Sequence, residues 1–375
     1  MKKMHLFPQF FIDTENLIAR PDVTLTGRDV RALVGWYFQF QDYRESAAHQ
    51  VRTSGDDPAF ALKSLGNTFR ALEDQTKALI EQWAKRDVLC RWPLQVKGIG
   101  GILAAGLAAH IDMARTHHPS SVWRFCGYDP SVTWIGRKGA RKIADEYEEK
   151  YEKPEKAIEE AALRVGQSAE TIRKFSLEYG EGKHTWASFA KAISRCPWNA
   201  KLKVHCYKIG DSFVKLSTNP GSFYGLKYST TKTMLVERNE TGFFAEKATG
   251  LLASGKRWSA LQRAAYKKGR LTAGHIDKMA RRATVKLFLS HWWEAAYIEL
   301  NGKQPPAPWI IAHGGHVDVI SAADVLAFER NASNGGEGRE GEVLAGGAGL
   351  SDIPQGDDGC EAISGDALLE AVEGR

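Results

Sequence analysis

Two glycines flank one isoleucine at Lys97-Gly98-Ile99-Gly100-Gly101, and this is the run in the chain best suited to hold an anion. Gly98 and Gly100 give the backbone access to positive φ, so the chain can turn tightly there. Ile99 points inward and anchors the turn. The Ala-rich run Ile102 to His110 continues as a helix, with Ile102, Ala105, Leu107 and Ala108 expected to face a short first helix ending at Leu94. Such a turn leaves backbone N–H groups open at the start of the second helix, where the helix dipole favours negative charge. Lys97 adds a mobile cation. On DNA the anion is a backbone phosphate, a contact that positions a protein without reading sequence.

Other residues suggest bond-breaking chemistry. Ser131, close to Arg137 and Lys138, has the composition of a nucleophile for a phosphodiester, although a serine needs activation and Ser131 also suits the start of a turn after Pro130. His313, His316 and Asp318 are metal-ligand types, as are His291 and Glu294. The histidine pair spans two glycines and lacks helical metal-site spacing, so no metal ligand is assigned; Mg2+ would be needed only if the chain cut DNA.

These residues must be positioned by helices. Val30, Leu33, Val34, Tyr37 and Phe38 recur at helical spacing after Thr26-Gly27-Arg28-Asp29, and Phe69, Leu72, Leu79, Ile80 and Trp83 mark a second segment beyond Pro58. The expected fold is mainly α. It divides into a helical N-terminal region (1–90), a helix-hairpin-helix part (91–139), a charged helical insert (140–196), the rest of the hairpin domain (197–325) and a disordered acidic tail (326–375). Within the insert, Lys156 to Phe175 has the shape of a helix-turn-helix. Ala161 falls at the crossing, Gly166 at the turn and Ser168 at the cap, while Gln167, Glu170, Arg173 and Lys174 would meet the major groove.

Charge supports a polyanionic partner. The 375 residues carry 51 Lys and Arg against 45 Asp and Glu. Residues 331–375 hold ten acids and two bases, which leaves 49 bases and 35 acids in residues 1–330. Lys201 and Lys203, and the cations from Lys256 to Arg270, are expected as further phosphate contacts; the second group, interleaved with Trp258 and Tyr266, suits a single strand or a distorted duplex, and each group also suits a solvated helix face. Five cysteines without C-x-x-C spacing read as free thiols in a reducing, cytoplasmic compartment. No run is apolar enough for a membrane span.

The hairpin run, followed by Trp123-Arg124-Phe125-Cys126-Gly127-Tyr128-Asp129-Pro130, resembles the C-terminal domain of insertion-sequence transposases related to the Piv invertase. Asn199-Ala200-Lys201-Leu202-Lys203, Pro220 to Tyr224 and the stretch His275 to Leu289 are similar to later parts of that domain. The resemblance implies a DNA-binding protein of a mobile element acting in transposition or recombination, with DNA, a guide RNA and further copies of itself as partners. A non-catalytic accessory protein and a metal-dependent nuclease are the alternative expectations. Two departures stand out. The family's ribonuclease-H-like half has no counterpart in the roughly ninety residues before the hairpin. Neither Ser131 nor Thr133 falls at the offset of the family's serine.

Overall fold

The computed structural model describes residues 24–54, 60–132, 134–306 and 320–333. His313, His316, Asp318, Thr133 and the acidic residues beyond 333 lie outside the described residues. Every regular element described is helical: α1 Gly27–Thr53, α2 Phe60–Arg86, α3 Gly101–His110, α4 Pro119–Cys126, α5 Gly136–Lys150, α6 Pro154–Val165, α7 Ala169–Tyr179, α8 Trp186–Ile193, α9 Ala200–Lys215, α10 Phe223–Glu240, α11 Ala245–Ala253, α12 Ala260–Lys267, α13 Ala273–Asn301 and α14 Ala322–Ser333. The mainly α expectation holds. Among the described residues, no helix is long and apolar enough to cross a membrane.

The chain forms two compact units, and the division falls inside α9. The first takes the described residues up to His117, those from Lys208 to 306, and those from 320 onward. Thr26 opens α1 with a capping box: its amide donates to Asp29 at 2.8 Å, and its hydroxyl accepts the Asp29 amide at 3.4 Å. α1 and α2 run antiparallel. Tyr43 meets Phe69, with ring centroids 5.3 Å apart, and Arg44 pairs with Glu73 at 2.5 Å. α3 packs on both of them. Eight of its ten residues are buried, and its apolar character runs all round rather than along one face.

The expected first helix of the hairpin is absent. Two 3-10 turns, Val88–Cys90 and Pro93–Gln95, stand in its place, because Pro93 interrupts the backbone bonding a longer helix would need. Indole N–H groups bridge the parts of this unit: Trp92 donates to Ala322 O at 2.9 Å, Trp292 to Leu89 O at 3.1 Å and Trp293 to Thr116 O at 2.8 Å. The expected tail starts too early. Residues 326–333 continue α14, in which Leu326 and Glu329 are buried, since the apolar positions Val325 and Leu326 give the helix a face to bury.

The second unit is His118–Tyr207, so it takes in the Trp123 to Pro130 stretch together with the charged segment 140–196. Its core is small and mostly aliphatic: Ile143 and Tyr147 of α5, Ile158 and Ala161 of α6, Ile172 of α7, and Phe189 and Ile193 of α8. Around it, charged side chains pair on the surface, as Lys150 with Glu160 and Arg164 with Glu146, both at 2.6 Å.

Candidate nucleic-acid interface

At the glycine turn, Gly98 takes φ +92°, a conformation that disfavours a side chain. Its carbonyl accepts the Ser212 hydroxyl at 2.6 Å, and a Cβ added there would lie 2.8 Å from Leu216 Cδ1. Gly100 does not need positive φ, contrary to the expectation. It has φ −88° and ψ 175°, and it caps α3 without any side-chain hydrogen bond. It is exposed, with nothing within 4 Å of the space a Cβ would fill. The start of α3 is thus open on the Gly100 side. Ile99 is buried, as expected. Gly101 serves packing rather than a ligand: a Cβ there would stand 3.2 Å from Glu81 Cα, so its absence lets α3 lie close against α2.

Lys97 does not stand clear of the fold. Its side chain is half-buried, and its ammonium lies where a Cβ on Gly221 would fall. Its backbone amide donates to Glu329 Oε2 at 2.8 Å, and the other carboxylate oxygen accepts the Phe223 amide at 3.0 Å. Glu329 is 3% exposed. Burial pushes its carboxyl up, against the pull of the two amides and the Lys97 charge. This carboxylate ties the turn to the start of α10 and was missed in the sequence. The signal was present: Glu329 falls four residues after Val325 and three after Leu326, on the apolar face of α14.

His291, read as a metal-ligand type, is structural. Nε2 donates to Ile320 O at 2.9 Å, which leaves Nδ1 to accept the Tyr224 hydroxyl at 2.7 Å. Burial holds its pKa down at about 4, with the neutral ring as the stable form. Neither nitrogen is left for a metal. Glu294 accepts the Ala322 amide at 3.0 Å.

In the second unit the helix-turn-helix elements fall where expected. Ala161 is fully buried, Gly166 takes φ +64°, and the Ser168 hydroxyl accepts the Thr171 amide at 3.2 Å. Its reading side chains are less available than expected. Gln167 turns inward, donating to Ile193 O at 3.3 Å and Arg195 O at 3.4 Å. Arg173 pairs with Glu159 of α6 at 3.0 Å. Lys174 and Glu170 are exposed.

Ser131 is exposed, but both its amide and its hydroxyl donate to Asp129 Oδ1, at 2.9 and 2.7 Å. That is a side-chain-capped turn. Asp129 holds the hydroxyl, and neither Arg137 nor Lys138 bonds it; both stand exposed at the start of α5. In α9, Lys201 is exposed and Lys203 is half-buried, its ammonium 3.9 Å from the Trp198 ring centroid.

Compared with family models, curated proteins and solved structures, the chain matches none of them.

Proposed function

We propose that the protein binds DNA as a transposase-related component of a mobile element, in a reducing, cytoplasmic setting, with the Gly98 to Gly101 turn seating a backbone phosphate. The observation that carries this reading is the open start of α3. Its N-cap is an exposed glycine with no side-chain cap, set behind a left-handed Gly98. The basic excess of residues 1–330 and the resemblance in the hairpin support it. Arg137, Lys138, Lys174 and Lys201 are exposed and supply further phosphate contacts in this reading.

A second reading, a DNA-binding accessory protein that does not cut, is favoured by one observation: the Ser131 amide and hydroxyl both serve a turn capped by Asp129, and neither Arg137 nor Lys138 bonds the hydroxyl.

Duplex affinity across a salt series tests the proposal, comparing the native chain with Gly100→Glu. The added side chain enters open space at an ordinary φ, so the fold is retained. The expected result is steeply salt-dependent binding that weakens by about tenfold or more in the variant. Duplex binding unchanged in Gly100→Glu, or absent from the native chain at low salt, contradicts it.

A further inference from the structure

The chain from Ser254 to Arg270 holds six cations and no acid. Ser259 opens α12 with a capping box, its hydroxyl accepting the Gln262 amide at 3.2 Å while its own amide donates to Gln262 Oε1 at 2.9 Å. The Trp258 indole N–H donates to Leu251 O at 2.9 Å, and Tyr266 packs edge-on to the ring at a centroid separation of 5.2 Å. These contacts fix the indole as one wall of a shallow depression of about 440 Å³. Ala260 and Ala264 line it, and Arg263 and Lys267 stand beside it. Arg257, Arg263, Lys267 and Lys268 are all exposed, and none makes an ion pair with a described residue.

We infer that the segment from Ser254 to Arg270 binds a single-stranded nucleic acid, with an unstacked base against Trp258 and the flanking phosphates on Arg263 and Lys267. Unopposed cations specify a polyanion. A fixed aromatic wall above two alanines specifies a flat, apolar group attached to that polyanion. An acidic peptide supplies the charge without the flat group, and a duplex keeps its bases stacked inside. An aromatic platform inside a basic groove is how single strands are held without sequence preference. The inference stands on the segment from Ser254 to Arg270 alone and does not depend on the open start of α3.

Leu261, the second residue of α12, is 84% exposed. A leucine beside cations also suits an anionic membrane surface, so the experiment includes one.

The test is fluorescence anisotropy of a labelled strand of about a dozen thymidines, within the usual site size for such surfaces, titrated with the full chain at several salt concentrations. The double variant Arg263→Ala/Lys267→Ala changes only exposed side chains. It should weaken binding about tenfold and flatten the salt slope by about 1.4, two contacts at about 0.7 each for a single strand. Trp258→Ala should weaken it about fivefold or more, and Trp258→Phe, which keeps a ring, should restore most of the loss. Gly100→Glu, which tests the duplex reading, should leave strand binding intact, so the two readings fail separately. Strand binding that is absent, or equal in the double variant and the native chain, overturns the inference. So does displacement of the strand by phosphatidylserine vesicles with a vesicle affinity that falls in Leu261→Asp.

Discussion

Gly98 and Gly166 each stand three residues ahead of a helix, and each takes a left-handed φ. Beyond that the two turns differ. After Gly166 the cap is Ser168, whose hydroxyl closes the start of α7, and the helix is amphipathic with an aliphatic core beneath it. After Gly98 the cap is a bare glycine, the helix is buried almost all round, and the turn is tied at its back to the buried carboxylate of Glu329. A closed turn on an amphipathic helix offers side chains to a partner. An open turn on a buried helix offers only backbone. In the proposed reading the same glycine geometry would serve two kinds of contact, with the residue at the cap deciding which.

The scaffold beneath the Gly98 turn should respond to acid in a way that its buried groups define. His291 is neutral in the folded unit, with its pKa lowered from 6.5 to about 4, so the unfolded chain takes up a proton first as the pH falls. The stability from the neutral ring is fully present above the unfolded value. It is lost between 6.5 and about 4, a loss of about 3 kcal/mol. Glu294 and Glu329, which burial pushes up, act in the opposite sense over the acid range. The His291 contribution is therefore read as the difference in urea stability between the native chain and His291→Asn across this range. Parallel pH profiles for the two proteins would break the comparison, because the scaffold under the Gly98 turn would then not depend on a neutral imidazole.

The next effect is smaller. Gly98→Ala meets both a left-handed φ and the Leu216 side chain, and should cost about 2 to 3 kcal/mol. Gly166→Ala meets the same kind of strain, but its nearest neighbour, the Ser131 carbonyl, lies 3.4 Å away, so it should cost about 1 to 2 kcal/mol. Equal losses in denaturant titrations would show that close packing at Gly98 adds nothing. The smallest effect belongs to the cap. Ser168→Ala should cost about 1 kcal/mol, whereas Gly100→Ala, which enters open space, should change stability little. A large loss in Gly100→Ala would mean that the start of α3 is not open.

Much of this was legible in the sequence because it is local. The capping box of Thr26, the Gly166 turn and the Ser168 cap each follow from residues a few positions apart. The hairpin was less legible because its partners are distant. Ser212, Leu216 and Glu329 hold the turn from far along the chain, and α3 packs chiefly on α1 and α2, and less on the two short turns before it. Gly101 looked like part of the anion site but answers to Glu81 of α2. Lys97 looked free but rests against Gly221. In the second unit, periodicity placed Arg173 on an exposed face but could not show that Glu159 would claim it.

The most direct test of the account is hydrogen–deuterium exchange of the full chain with and without a DNA duplex at low salt. The account predicts slowed exchange at residues 98–102 on duplex binding, with Gly100→Glu abolishing that protection. Bound duplex with unchanged exchange at 98–102 would contradict it, and would leave the open start of α3 as packing alone.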